Sequence, residues 1–366
     1  MSSKTGPLTG LRIVEISGLG PTPFAAMCLA DMGADVIRIA RPGSSGPEAH
    51  VLGLAVDILD RGRDVIELDL KSDEGRDTAR ALIQRADALI EGMRPGVMER
   101  LGLGPQNFSD HPALVYGRMT GWGQTGPLAH TAGHDITYLA LSGALHAIGP
   151  SEAPAIPLNL LGDFGGGGMY LAFGMLAALH HARASGQGQV VDCAITDGVA
   201  HLMAMITGMA GQGAWVDQRY ANLLDGAAPF YTTYLCACGG HIAVGALEPQ
   251  FWAQLLDGLG LRAHDLPNRD NRDTWPELRA QIAARFATRP RDDWAEVFRE
   301  TDSCAAPVLS LAEARAHPQN ADRASYLIQD GLAQPAPAPR LSATPGQAGG
   351  APQRLTPKQA LSRWQG

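Results

Sequence analysis

The sequence is poor in the features that mark membrane, secreted and nucleic-acid-binding proteins. Its apolar runs are broken by glycine, proline or charge before they reach the roughly 18 residues of a transmembrane helix. Its five cysteines are odd in number without a disulfide-like spacing, and no charged-then-apolar leader precedes the first strand. Lys and Arg total 29 against 37 Asp and Glu, whereas a nucleic-acid-binding protein carries a basic face. We therefore expect a soluble, cytoplasmic protein that binds neither a membrane nor nucleic acid.

What is present is enough apolar sequence for two packed domains. The chain has 366 residues, of which 45% are hydrophobic, and one core usually stops growing below that length. The composition predicts a large domain at 1–215, completed by the C-terminal segment 330–366, and a small α+β domain at 225–325. A tail at 334–352 is too rich in proline and glycine for helix or sheet, and Pro357–Trp364 is predicted to form a last short helix.

The first half alternates strands and helices in the manner of a Rossmann-like α/β domain. Leu11–Ile16 and Asp35–Ile39 are predicted strands around a helix at Phe24–Met32, which makes a βαβ unit. Ligands bind at the carboxyl ends of such strands. The second strand carries Arg38 and Arg41 there, rather than an acid for a ribose diol. These cations suit a phosphate, although two arginines on a solvated strand end is an equally open interpretation. Further strands are predicted at Val65–Leu68, Ala88–Glu91, Leu114–Met119 and Gln189–Ala194.

The second half holds two patterns with a structural and a functional interpretation each. Cys236, Cys238 and His241 have a spacing that invites a metal, but a structural zinc site needs four ligands and no second pair is suitably spaced. A hairpin of Tyr231–Leu235 and His241–Val244 explains them better. A predicted helix at Gly198–Gly211 is rich in methionine, which we interpret as core filling rather than a cofactor site.

A histidine and two carboxylates stand out as candidates for proton transfer. His134 follows a glycine in Gly-His-Asp-Ile, and Asp163 precedes four glycines and a predicted apolar helix. By position alone His134 reads as a structural histidine and Asp163 as a helix N-cap. Free N–H groups at that helix start could also hold a thioester oxygen, and the glycines would let a ligand approach. Glu248, just before Pro249, suits a helix start equally well.

In combination these motifs resemble the family III CoA-transferase (CaiB/BaiF) superfamily, and within it the α-methylacyl-CoA racemases. The similarity spans nearly the whole chain. The transferase branch lacks a catalytic histidine at the Gly-His-Asp motif, so the presence of His134 points to the racemase branch. The segment Ser44–Leu59 carries no motif that we can place, and Thr137 stands where asparagine is common. The motifs that carry the resemblance are Glu91–Gly96, Gly121–Pro127, Gly133–Ile136, Gly162–Gly167 and Glu248–Phe251.

The resemblance implies a family III CoA-transferase fold in an interlocked homodimer, with an active site that uses His134 and Asp163 as the two proton carriers and Glu248 as a third carboxylate. It implies an isomerase that acts on acyl-CoA without a metal or a separate cofactor, CoA being part of the substrate. Implied or added CoA-binding positions are Arg38, Arg41, Leu68, Asp69, Leu70, Lys71, Arg94, Gly133, Asp135, Ile136, Thr137 and Tyr138.

Two rival functions stay open on the sequence. In a CoA-transferase, Asp163 would attack a thioester to give a mixed anhydride and pass CoA between acids. In a non-catalytic acyl-CoA binding protein, neither His134 nor Asp163 would take part in turnover. A racemase instead requires two groups on opposite faces of one carbon that hold opposite protonation states.

Overall fold

The fold was analysed in a computed structural model that describes residues 5–43, 53–54 and 56–365. Most of the unplaced segment Ser44–Leu59 therefore lies outside the described residues. The chain forms two compact units: residues 1–144, 157–204 and 324–366 make the first, and residues 145–156 and 205–323 make the second. Within the described residues, no helix is both long and apolar enough to cross a bilayer.

The first unit is built on a seven-stranded sheet in which every neighbouring pair is parallel. Its strand order is β12-β3-β2-β1-β4-β5-β6. The chain therefore adds strands on one side of β1 and then on the other, so a crevice opens at the carboxyl ends of β1 and β4. The strands are β1 Arg12–Ile16, β2 Asp35–Ala40, β3 Arg63–Glu67, β4 Ala88–Glu91, β5 Val115–Thr120, β6 Val190–Ala194 and β12 Arg354–Leu355.

Helices follow the strands of this sheet in the order that the sequence predicts, and other helices belong to the second unit. Ser72 caps one of them, because its hydroxyl accepts the N–H of Gly75 at 3.1 Å. The helices, in chain order, are α1 Pro21–Asp31, α2 Asp73–Ile83, α3 Val97–Arg100, α4 Asp135–Leu141, α5 Ala144–Ala147, a π-helix at Leu160–Met169, α6 Tyr170–Ser185, α7 Ile195–Leu202, α8 Ala204–Gly211, α9 Pro249–Leu259, α10 Trp275–Phe286, α11 Arg291–Phe298, α12 Leu311–Ala316, α13 Pro318–Asp322 and α14 Pro357–Arg363.

The C-terminal segment completes the first unit. Strand β12 pairs with β3, and the hairpin of β10 Tyr326–Gln329 and β11 Leu332–Pro335 precedes it. The Arg363 guanidinium reaches Asp35 and Asp64, and the Trp364 indole N–H donates to Asp35 at 2.8 Å. Trp364 is buried against the core beside α2. Residues more than 280 positions apart in sequence therefore hold one edge of the sheet together.

The core of the sheet contains ion pairs as well as apolar side chains. Glu15 on β1 and Arg63 on β3 are both fully buried and paired with each other. Arg38 on β2 is 6% exposed and pairs with Asp60. Buried charges persist only when paired, because removal of one partner leaves an uncompensated charge. These arginines therefore belong to the interior of the unit.

The π-helix is packed against its neighbours through its glycines. Phe164 N–H bonds the carbonyl of Asn159, which is the wide spacing of a π-helix. A Cβ on Gly168 would lie 2.7 Å from the Phe24 ring, and one on Gly166 would lie 2.6 Å from Val199. The glycine run therefore allows α1 and α7 each to pack closely against the π-helix. The prediction that these glycines admit a ligand is wrong for Gly166, Gly167 and Gly168, which are buried against protein.

The second unit is a small α+β assembly with its own aromatic core. Its sheet, in the order β7-β8-β9, is antiparallel. Tyr234 and Phe286 stack at 5.1 Å between ring centroids, next to Trp294. The predicted hairpin is confirmed. The strands are β7 Tyr231–Leu235, β8 His241–Gly245 and β9 Ala305–Pro307.

Two local predictions need correction. The expected single helix at Gly198–Gly211 is two helices, α7 and α8, which separate at Met203. No residue of α8 is buried, and Met205 is 59% exposed. The interpretation of this methionine as core filling is therefore wrong for the single chain. The tail also enters a sheet, since Gln334 and Pro335 belong to β11.

We expect Gly198→Ala to destabilise the first unit by about 2–4 kcal/mol. A Cβ there would lie 1.9 Å from the carbonyl oxygen of Gly166, so α7 and the π-helix would have to move apart. Gly208→Ala in α8 is the matched control, because a Cβ there meets nothing within 4 Å. Denaturant unfolding measures both variants. Equal stability of Gly198→Ala and the parent protein would contradict this packing.

Candidate active site

A pocket of about 220 Å³ opens at the carboxyl ends of β4 and β5. The turn after β4 forms one wall, with Arg94 in it, and the segment after β5 forms the other, with Trp122, His134 and Tyr138. The sequence predicts that ligand-binding groups gather at the carboxyl ends of the strands, and the pocket lies at this edge of the sheet. Three of the predicted positions, Arg94, Gly133 and Tyr138, line the pocket together with His134.

The His134 side chain stands at the N-cap of α4 and is exposed. Its backbone is fixed by Thr137, whose hydroxyl accepts the His134 N–H at 3.0 Å and donates to the His134 carbonyl at 2.7 Å. These two bonds close the first turn of the helix. Thr137, predicted as a CoA-binding residue, therefore has a structural task in holding the imidazole at the pocket wall.

Asp163 lies inside the first turn of the π-helix, and the N-cap is Asn159. The interpretation of Asp163 as an N-cap is therefore wrong. Its N–H donates to Asp135 Oδ1 at 2.6 Å, and the Gly162 N–H also bonds that carboxylate. The idea that these two N–H groups would hold a thioester oxygen is likewise wrong, because Asp135 already occupies them.

The Asp163 carboxyl is held in a setting that favours its neutral form. Burial and, next, the Asp135 charge raise its pKa to about 6, against an opposing effect of His134. A Cβ on Gly20, the N-cap of α1, would lie 2.9 Å from Asp163 Oδ2. A helix N-terminus normally favours an anion, but Pro21 and Pro23 remove two of its N–H groups. The carboxyl can therefore gain or lose a proton near neutral pH.

Tyr138 lies on the pocket wall, close enough to Asp163 for the charge of that acid to act on its phenol. Burial, then the Asp163 charge, raise the pKa of its phenol to about 12, while Arg94 acts in the opposite direction. Its ring lies edge-on to Trp122, with 4.7 Å between centroids. A Cβ on Gly121 would lie 2.1 Å from this ring, and one on Gly133 would lie 2.5 Å from it. The glycines of both motifs thus make room for one tyrosine.

The other predicted CoA positions lie further along the same sheet edge. Arg41 follows β2 and is exposed, and Leu68 follows β3, with its N–H bonded to the Ala40 carbonyl at 2.9 Å. Asp69 and Lys71 are exposed there, whereas Leu68 itself is buried. Leu70 is half-buried and Ile136 is 39% exposed. Arg38 is paired with Asp60 inside the unit, so we do not retain it as a phosphate ligand.

Glu248 belongs to the second unit, where it is the N-cap of α9 with Pro249 in the first turn. Its charge raises the pKa of the Cys304 thiol, after the effect of burial. Arg269 fixes the backbone just before it, through hydrogen bonds to the carbonyls of Ala246 and Leu247. The role of Glu248 as a third carboxylate of the active site stays a prediction.

Comparison with known proteins identifies the family. A family model described as CoA-transferase family III matches residues 8–358. The chain belongs to CoA-transferase family III. The alpha-methylacyl-CoA racemase of Mus musculus is 47% identical over 342 residues, which cover 92% of this chain and 87% of that protein. The Homo sapiens protein of the same name is 45% identical over 341 residues, with the same shares covered.

The predicted fold of the single chain is confirmed by comparison with a solved structure. The crystal structure of a CAIB/BAIF family protein from Brucella suis matches with a TM-score of 0.83 and 24% identity, over 98% of this chain and 99% of that one. The family resemblance noted from the motifs is confirmed by the family model and by the two relatives named above. What the sequence did not reveal is the π-helix and the position of Asp135 between two helices.

We expect Asp163→Asn to stabilise this family III protein by about 1–2 kcal/mol at pH 8. The folded-state pKa of about 6 lies above the ordinary 3.8, so folding binds the proton more tightly. The cost of ionising Asp163 in the folded protein is absent below about pH 4, grows between about pH 4 and 6, and is complete above pH 6. Thermal unfolding of both proteins at pH 5 and pH 8 measures it. A gain that is larger at pH 5 would contradict the raised pKa.

Proposed function

We propose that this protein is a racemase that interconverts (R)- and (S)-2-methylacyl-CoA thioesters by 1,1-proton transfer through an enolate. One observation carries the proposal: a carboxyl with a pKa of about 6, Asp163, lies close enough to His134 for their charges to interact. The relatives at 47% and 45% identity, which are named alpha-methylacyl-CoA racemases, support it. We place its action on fatty acyl-CoA in the cytoplasm, as the sequence predicts.

The chemistry needs only the side chains of the site. The proton next to a thioester carbonyl is removed by one group, and the other group returns a proton on the opposite face of the planar enolate. His134 and Asp163 then share one proton between them, and each turnover exchanges which of the two holds it. We propose Glu248 as an orienting acid for His134. No metal or separate cofactor takes part in the proposal.

We propose that the CoA group of the substrate lies along the edge of the sheet formed by the carboxyl ends of the strands. Arg41 and the turn 68–71 follow β2 and β3, while Arg94 follows β4, so cations lie at both sides of β1. Guanidinium groups bind phosphate oxygens in pairs of hydrogen bonds, which suits the pyrophosphate and ribose phosphate of CoA. Because this binding is remote from the reacting carbon, its loss should raise KM first.

We expect His134→Ala and Asp163→Ala to lose proton exchange by at least about 100-fold while acyl-CoA binding persists. Incubation of the enzyme with 2-methylacyl-CoA in deuterated water, followed by mass spectrometry, measures α-deuteration. His264→Ala is the control, because His264 is exposed in the second unit. CoA exchange between acids without α-deuteration would favour the transferase, and no reaction at all would favour a binding protein.

We expect kcat/KM for the (R) and (S) substrates to show the same pH dependence. The active enzyme carries one proton between the two groups, so activity falls when both groups are protonated. Since the pKa of Asp163 is about 6, the acid limb should fall away below about pH 6. Initial rates for each enantiomer between pH 4.5 and 9 measure this. Different acid limbs for the two enantiomers would contradict a shared proton.

We further propose that the protein is an interlocked homodimer. The apolar side chains of Met169, Phe173 and Leu176 are 49%, 71% and 40% exposed in the single chain. Their spacing of four and three residues puts them on one helix face. Exposed apolar surface of this kind is typical of an interface. The exposed methionine-bearing helix α8 supports the same proposal.

We expect Phe173→Asp to weaken self-association by at least about 10-fold, because it would bury a charge in an apolar interface. Light scattering over a dilution series measures the mass. Asp322→Asn, on the short helix α13, is the control. A parent protein that is monomeric at micromolar concentration would overturn the dimer without affecting the proposed chemistry.

A further inference from the structure

Asp135 is the first residue of α4, where an acid usually needs no further explanation. Its side chain, however, does not serve only its own helix. Oδ1 accepts the N–H of Asp163, which lies 28 positions later in the sequence, at 2.6 Å. The N–H of Gly162 bonds the same carboxylate. One side chain of α4 thus caps the first turn of the π-helix.

The sequence leaves a space for this carboxylate. A Cβ on Gly162 would lie 2.2 Å from Asp135 Oδ1, so any side chain there would displace the acid. Oδ2 is buried without a hydrogen-bond partner. A partly buried carboxylate with one unpaired oxygen is costly, so its position between two helices suggests a function other than stability.

We propose that Asp135 is a positioning residue for Asp163: its carboxylate fixes the π-helix turn that carries the Asp163 carboxyl beside the N-terminus of α1. This assignment replaces contact with CoA as the task of Asp135, and it rests on the proposed function of Asp163 as a proton carrier. A misplacement of a catalytic group by about 1 Å can cost about 100-fold in rate.

The charge of Asp135 has a second effect on the same acid. It raises the pKa of Asp163, after burial, while His134 lowers it. The other titratable side chain that interacts with this acid is the phenol of Tyr138. The α1 terminus beside Asp163, Gly20 to Phe24, brings no titratable side chain. Removal of the Asp135 charge should therefore let Asp163 ionise at lower pH.

Asp135→Asn separates the two effects, because the amide oxygen can still accept the Asp163 N–H but carries no charge. The control is Asp197→Asn, an exposed acid in the first turn of α7, which packs on the same π-helix. Asp135→Ala removes both the acceptor and the charge. Thermal unfolding establishes that each variant is folded before its kinetics are compared.

The first measurement is the rate of α-deuteration of 2-methylacyl-CoA as a function of pH. We expect Asp135→Asn to move the acid limb to lower pH, and Asp135→Ala to lose about 10- to 100-fold in kcat, with KM for acyl-CoA changed by less than about 3-fold. A rise in KM with an unchanged kcat and pH profile would overturn the proposal and make Asp135 a CoA contact.

The second measurement needs no turnover. Carbon NMR of protein labelled at the aspartate carboxyls follows the titration of Asp163, whose signal is identified by its loss in Asp163→Asn. We expect the midpoint of the Asp163 titration to fall by at least about 0.5 pH units in Asp135→Asn and to remain unchanged in Asp197→Asn. An unshifted midpoint would overturn the proposal even in an active racemase. A shifted midpoint in a protein without α-deuteration would support the positioning and refute the proposed function.

Discussion

The site depends on one constraint: a half-buried acid is held beside a second carboxylate, and its pKa is raised. Asp163 is enclosed by the N-terminus of α1, by Asp135 and by the wall that carries Tyr138. Its nearest charges are another carboxylate and His134. Elsewhere in the first unit buried acids meet arginines, as Glu15 meets Arg63 and Glu91 meets Arg118 at 2.9 Å. Among the described residues, no arginine or lysine is one of the charges that act on the pKa of Asp163, which distinguishes it from these paired acids.

The glycines serve this enclosure by letting protein approach protein. Gly162 admits the Asp135 carboxylate, Gly20 admits that of Asp163, and Gly121 admits the Tyr138 ring. A wide π-helix turn then brings the acid to the crevice beside β1, and Phe164 stacks on Phe24 at 4.2 Å to hold it there. The motifs that mark the family in sequence are, in this structure, largely positions where a side chain would prevent close packing.

Much of the fold could be predicted because its signals are local. Strands β1 to β6 each contain a short apolar run, and the cap at Ser72 and the proline at 249 mark helix starts by their own chemistry. The geometry of the site was harder to predict from the sequence. Nothing in the residues around Asp163 distinguishes an α-helix start from a π-helix, because the difference lies in packing against α1 and α7. For the same reason Arg38 resembled a surface cation although its partner, Asp60, lies 22 residues away.

The closure of the first unit by β12 and α14 has a consequence for biosynthesis. Strand β3, Asp35 and Asp64 are made early, but their partners Arg354, Arg363 and Trp364 lie 289 to 329 positions later in the sequence. During translation this edge of the sheet stands open while the whole second unit is produced. In a newly made chain, this edge of the sheet therefore stays unpaired until residues 354–364 have been added.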